Sequence, residues 1–120
     1  MEVFSYRKLR VYQNSKTLVI SVYNILKQFP LEEKFALCDQ LRRAVISIPS
    51  NIAEGMSRSS SKEQLYFLEI AYGSLNEVMS QLEMAQELNY ITQNQLEQME
   101  NQYKNIAQML SGLRKSKLKE

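Results

Sequence analysis

The chain has no histidine, and Cys38 is its only cysteine. Histidine-bearing zinc sites, Cys–His nucleophile pairs and an intrachain disulfide are therefore excluded, and with them a large share of enzyme mechanisms. Three glycines and two prolines are few for a sheet protein built on tight turns, whereas the abundance of Leu, Glu, Gln, Lys, Met and Ala favours helix. The expected class is all-α. No run approaches the roughly 20 apolar residues needed to span a bilayer. The opening Met1-Glu2-Val3-Phe4 places no basic stretch ahead of an apolar core, so the expected location is the cytoplasm, without membrane contact. Cys38 follows Phe35, Ala36 and Leu37, where a small buried hydrophobe is the expected role and a reactive thiol the alternative. No metal site and no cofactor are expected.

With 120 residues there is material for one core, so residues 1–120 are read as a single domain in which every long helix shares that core. Helix 1 is expected over about 6–28, with Ser5 as N-cap and Phe29-Pro30 as stop. Its apolar residues fall into two sets: Val11, Leu18, Val22 and Ile25 on one side, and Leu9, Tyr12, Val19, Tyr23 and Leu26 on another. One stripe satisfies a core, so the second predicts a further buried contact. Helix 2 is expected over about 32–56, with Glu32 and Glu33 at the positive end of its dipole and a stripe of Leu37, Leu41, Ala44 or Val45, Ile48 and Ile52. That stripe continues past Pro49, which predicts a kink there and not an end, with Gly55 loosening the last turn.

Helix 3, over about 61–88, opens on two overlapping capping boxes, Ser60 with Glu63 and Ser61 with Gln64. Its stripe is Leu65, Leu68, Tyr72, Leu75, Met79 and Leu82. Helix 4, over about 92–115, opens on the box Thr92 with Gln95 and repeats the spacing at Leu96, Met99, Tyr103, Ile106, Leu110 and Leu113. A repeat near 3.5 residues means helices packing side by side at a shallow angle. Short connections force neighbours to run antiparallel, so the expected fold is an up-down-up-down four-helix bundle.

The net charge of +2 hides a segregation: from Glu63 to Glu100 there are seven acids and no Lys or Arg. Antiparallel helices gather Arg7, Lys8, Arg10, Arg58, Lys62, Arg114, Lys115, Lys117 and Lys119 at one end, against Glu2, Glu54, Glu63 and Glu120. Such an end is the footprint expected for phosphate backbones, where released counterions make affinity salt-dependent. The competing account is that terminal Lys and Arg merely complement helix dipoles on a solvated tail.

Helix 2 also carries a polar row, Gln40, Arg43, Ser47, Asn51, Glu54 and Arg58, at spacings of three and four. Ser74 and Glu77 on helix 3 are placed to meet it. A polar group taken into a bundle needs partners, so Arg43 is expected to pair with Glu77 or Glu54, and Ser47 or Asn51 to bond backbone freed by Pro49. Gly73 is expected to permit a close helix approach. The alternative, a catalytic or ligand pocket of Arg43, Asn51 and Glu54, lacks paired carboxylates, a metal cage or an activated nucleophile, so no catalytic residue is assigned.

Arg42-Arg43-Ala44, Ser47-Ile48-Pro49-Ser50-Asn51-Ile52-Ala53-Glu54-Gly55 and Gly73-Ser74-Leu75-Asn76-Glu77 carry a family resemblance. Leu9-Arg10-Val11-Tyr12-Gln13 and Phe29-Pro30 with Glu33 extend it along the chain. These motifs resemble those of the small S23-like proteins first noticed as reading frames in intervening sequences of bacterial 23S rRNA genes. The resemblance implies a four-helix bundle commonly assembled as a ring-shaped homopentamer. A related branch, the accessory variability determinant of diversity-generating retroelements, works with a reverse transcriptase and RNA. The expected function is a non-enzymatic oligomeric scaffold whose basic end contacts structured RNA or a nucleic-acid-bound protein; the alternative is an assembly module with protein partners alone.

Overall fold

A computed structural model describes residues 5–119. Glu2 and Glu120, two acids expected near the basic end, lie outside the described residues. The described part is all-α: helices α1 (Arg10–Leu26), α2 (Leu37–Met56), α3 (Ser61–Glu87) and α4 (Gln93–Leu118), with short 3-10 turns at Ser5–Lys8 and Leu31–Glu33. No strand occurs among these residues.

Two of the helix starts differ from expectation. Ser5 does not cap helix 1; it opens the 3-10 turn, and the α-helix starts only at Arg10, after Leu9 adopts an extended conformation. Local contacts fold that turn back onto α1: the Tyr6 and Tyr12 rings meet edge-on at 4.9 Å, and Gln13 Nε2 donates to the Arg7 carbonyl at 3.0 Å. Helix 2 starts at Leu37 and not at residue 32, because Ala36 leaves helical geometry (φ −119°, ψ −101°). The Glu33 carboxylate compensates by accepting from Leu37 N at 3.3 Å, satisfying a donor at the new N-terminus.

The starts of α3 and α4 follow the sequence more closely. Thr92 and Gln95 form the complete reciprocal box, with Gln95 N donating to Thr92 Oγ1 at 3.1 Å and Thr92 N to Gln95 Oε1 at 2.9 Å. Of the two overlapping signals before α3, Ser60 is the cap, accepting from Glu63 N at 3.2 Å. Ser61 is already helical, and Gln64 donates instead to the Arg58 carbonyl at 2.9 Å. At the other end of α3, Asn89 takes the left-handed conformation (φ 65°) and Tyr90 N donates to the Ala85 carbonyl at 2.8 Å. Asn thus fills the place that glycine usually takes when a helix ends in a left-handed residue.

α1 packs on α2 and α4, and α3 packs on the same two helices, so the four form a closed cycle. With 27 residues in α3 and 26 in α4, each helix is about 40 Å long at the usual rise, matching the 45 Å long axis of the molecule. One apolar core joins them, through Leu18 and Val22 of α1, Leu41, Val45, Ile48 and Ile52 of α2, Leu68, Leu75 and Leu82 of α3, and Ile106 and Leu110 of α4. The first α1 stripe is buried throughout; of the second, only Leu26 is. α2 runs unbroken through Pro49, itself buried.

The α1–α2 and α3–α4 connections are bolted together by side chains. Tyr90 Oη donates to Glu33 Oε2 at 2.8 Å, Gln28 Nε2 donates to the Tyr90 carbonyl at 3.0 Å, and the Gln28 and Gln95 amides exchange two bonds of 2.9 Å. The Glu33 bond needs the phenol protonated and so raises the Tyr90 pKa above its ordinary 10.0.

The close helix approach is at Gly55 and not, as expected, at Gly73. A Cβ at Gly55 would lie 3.0 Å from Phe67 Cβ and 3.2 Å from the Gln64 carbonyl oxygen, both rigidly attached to α3, whereas a Cβ at Gly73 would meet nothing within 4 Å. Opposite outcomes follow in urea unfolding. Gly55→Ala forces the helices apart and lowers stability by about 1–3 kcal/mol. Gly73→Ala gains the helix propensity that glycine lacks and raises it by up to about 1 kcal/mol. Equal effects at the two positions would remove Gly55 as the contact that sets the α2–α3 spacing.

Candidate functional site

The polar row on α2 separates into four independent groups. Asn51 Nδ2 donates to the Ser47 carbonyl at 2.8 Å and to Ser47 Oγ at 2.9 Å, and Ser47 Oγ lies 2.8 Å from Ser74 Oγ across the α2–α3 interface. Gln81 Nε2 bridges Gln40 Oε1 at 3.3 Å and Glu77 Oε2 at 3.2 Å, again joining α2 to α3. Arg43 turns outward with its side chain 81% exposed, and its Nε pairs with Asp39 at 3.2 Å. Glu54 pairs with Arg58 at 2.8 Å.

Two expected pairings are thereby corrected. Arg43 bonds neither Glu77 nor Glu54, because Asp39 one turn earlier offers a partner in water and spares the guanidinium its desolvation. Asn51 bonds the Ser47 carbonyl; the carbonyl that loses its helical donor at Pro49 is that of Val45. Arg43, Asn51 and Glu54 do not converge on a common space. Cys38 is buried, and that burial raises its thiol pKa above the usual 9.0, with the Arg42 charge opposing the shift.

The basic residues divide into two kinds. Arg58 lies over the Phe67 ring at 4.9 Å, with Glu54 at 2.8 Å and Glu63 at 3.9 Å. Arg114 covers the Tyr72 ring at 4.4 Å and its Nε bonds Glu69. These two guanidiniums fasten α2 to α3 and α4 to α3, a use that sequence spacing did not reveal because the rings are on other elements. Arg10, Lys62, Lys115 and Lys119 are exposed, while Arg7, Lys8 and Lys117 also make contacts within the chain. Lys115 joins Arg114, Leu65, Glu69, Ser111 and Leu118 in lining a groove of about 380 Å³, so the end of α4 and the start of α3 are neighbours.

A larger opening lies between α1 and α2. It has a volume of about 610 Å³ and is lined by Tyr12, Lys16, Val19, Ile20, Ile46, Pro49 and Ala53 among others. Ile20 is 62% exposed and Ile46 44%, unusual for residues of that size on adjacent helices. The second α1 set points to this side through Tyr12 and Val19. Ile20 and Ile46 lie off every stripe, and their only signal is apolar character at a position with no assigned contact.

Among the described residues, no group of three or more His, Cys, Asp or Glu is arranged to hold a metal ion, and no helix is long and apolar enough to cross a membrane.

A family model of 23S rRNA-intervening sequence proteins matches residues 7–112. The chain is also similar to a crystal structure of a protein of unknown function, from the S23 ribosomal protein family of Bacteroides thetaiotaomicron VPI-5482. The TM-score is 0.80 at 29% identity, covering 88% of this chain and 98% of that one. No curated protein matches the chain significantly.

The Ser47–Ser74 contact is testable as a coupling. In a double-mutant cycle of Ser47→Ala and Ser74→Ala, the interaction energy should be about 0.5–1.5 kcal/mol by chemical denaturation, the range of one net hydrogen bond. Strict additivity would show that the two hydroxyls are separately solvated.

Proposed function

The chain belongs to the 23S rRNA-intervening sequence protein family, and we propose that it is a non-enzymatic scaffold that assembles with copies of itself and touches structured RNA through its basic end. In this reading the helices run up-down-up-down and the copies close into a ring, five by the family resemblance of residues 42–55 and 73–77. The antiparallel order is supported by Gln28, just past α1, bonding Tyr90 and Gln95 around the α3–α4 connection. The independent engagement of Arg43, Asn51 and Glu54 supports a role without catalysis.

The observation that carries the proposal is the α1–α2 groove. Ile20 and Ile46, with Tyr12, Val19, Pro49 and Ala53 around them, leave an apolar opening of about 610 Å³ on a small chain. Apolar surface of this kind marks an interaction site, and the commonest occupant in a homo-oligomer is the same chain. In a cyclic ring every basic end faces the same way, so exposed Arg10, Lys62, Lys115 and Lys119 recur around one rim.

Sedimentation equilibrium tests the assembly. The wild-type protein should be oligomeric at micromolar concentration, and Ile20→Glu or Ile46→Glu should shift it to monomer with the helical circular dichroism unchanged, since both side chains are already partly in solvent. A monomeric wild-type protein, or an oligomer indifferent to both substitutions, would end this reading of the groove.

RNA binding is tested separately, by titrating ribosomal RNA fragments at several salt concentrations. Replacing Lys115, Lys117 and Lys119 with Ser should lower the slope of log affinity against log salt by about 0.9 for each phosphate no longer neutralised. Arg114 is left in place because it holds Tyr72 and Glu69. If no binding appears near 50 mM salt, the protein-only scaffold replaces this half of the proposal.

A further inference from the structure

At the start of α3, Arg58, Lys62, Glu63, Tyr66 and Phe67 line a cleft of about 360 Å³. We infer that this cleft binds one unpaired nucleotide, its base stacked on the Tyr66 ring and its phosphate held by Lys62 and Arg58. The inference rests on the RNA reading for its biological source, but its chemistry comes from the cleft itself.

Tyr66 is 62% exposed, while Phe67 beside it is partly covered and Leu68 is fully buried. Its ring is held edge-on to Phe67 at 5.1 Å and 85°, so its orientation is fixed while it remains open to solvent. Phe67 is already occupied, since the Arg58 guanidinium covers it at 4.9 Å. Tyr66 is therefore the vacant platform of the pair. Lys62 is four residues earlier, one helical turn away on the same face, and forms no ion pair among the described residues.

Arg58 has donors to spare. Nη2 is committed to Glu54 at 2.8 Å and Nε is buried without an acceptor, but Nη1, 3.9 Å from Glu63, is paired with it by charge alone and keeps its donors. Glu63 is itself occupied at the helix cap, where the Ser60 hydroxyl donates to it at 3.2 Å. What the cleft offers is thus an open aromatic face beside the Lys62 ammonium and the Nη1 donors of Arg58, with the Glu63 carboxylate turned to Ser60 and Arg58.

That combination selects its occupant. A cationic ligand is repelled by Lys62, whose charge no ion pair offsets among the described residues, and an aliphatic helix finds little apolar wall beyond the two rings. A planar group carrying an anion satisfies both the ring and the cations. Single-stranded RNA recognition uses this arrangement, with splayed bases on tyrosine and phosphates on lysine or arginine. The volume lies within the range of small-ligand clefts, about 300–1,000 Å³.

The test uses a short single-stranded RNA containing 2-aminopurine, together with free AMP observed by NMR on the full chain. The wild-type protein should quench the 2-aminopurine on binding. Tyr66→Ala should abolish the quenching and weaken binding by about ten-fold, as expected for loss of one base stack, whereas Tyr66→Phe should retain both. Lys62→Ser should reduce the salt slope by about one. Thermal unfolding of Tyr66→Ala confirms that the exposed ring can be removed without loss of fold. If the RNA binds without quenching and Tyr66→Ala binds as well as wild type, the inference is overturned while the basic-end reading stands. If RNA does not bind but AMP shifts the Tyr66 resonances, the cleft is a nucleotide site and the RNA reading fails. If neither ligand binds, both fall.

Discussion

Everything else in the fold depends on α2 staying helical through Pro49 and arriving against α3 with nothing but a hydrogen at Gly55. Pro49 removes one helical hydrogen bond and crowds the preceding turn, a cost of about 3 kcal/mol in an isolated helix. Burial of Ile48, Pro49 and Ile52 in the common core offsets it. If α2 ended at Pro49, Ile52 and Gly55 would leave the interface, and Arg58 would no longer reach Phe67 and Glu63. The cleft at the start of α3 is thus a consequence of a helix that does not break. Gly55 lies six positions after Pro49 in the same helix, so the proline and the close approach belong to one rigid piece.

The parts legible in the sequence are those settled within one or two helical turns. The Thr92–Gln95 box and the stripes through Leu68, Leu75, Leu82, Ile106 and Leu110 form as their spacing requires, because helical periodicity alone decides which face a side chain occupies. The late starts of α1 and α2 are not legible. At α2, Glu33 is drawn into capping Leu37 while Tyr90, 57 residues further along the chain, fixes its carboxylate, and no local pattern encodes that. Gly55 reads as a helix-end glycine and Gly73 as a mid-helix one; only the positions of Phe67 and Gln64 on α3 make Gly55 the close approach. Arg43 departs from its expected pairing because spacings of three and four span a wide arc of the helix, and the side chain at its edge takes the partner that costs least desolvation.

The candidate sites are legible by charge but not by geometry. Counting cations at one end treats nine side chains as equivalent, yet Arg58 and Arg114 are structural, each covering an aromatic ring on α3 and paired with a carboxylate. A guanidinium can do this because it is planar and weakly hydrated, whereas a lysine ammonium stays in water. The lysines at this end are therefore the better candidates for phosphate; Arg114 holds the platform on which they stand, and Arg58, which fastens α2 to α3, has only Nη1 left to assist Lys62. The basic tail carries no aromatic residue on which a base could stack; the fold supplies Tyr66 from another helix.

The α1–α2 groove and the cleft on α3 share no lining residue, so covering one with a second copy leaves the other open. This separation decides how a weak site becomes useful. One stacked base with two cations gives low affinity by itself, and the freedom lost on association consumes most of it. In the proposed ring, several such clefts on one rim would act on a single strand at an effective concentration near the millimolar range, and avidity would exceed single-site affinity by about 10²–10⁴ without any new contact. The proposed assembly through the groove and the proposed nucleotide site in the cleft are in this sense one design: the apolar face would supply the multiplicity that a site of only five lining residues lacks.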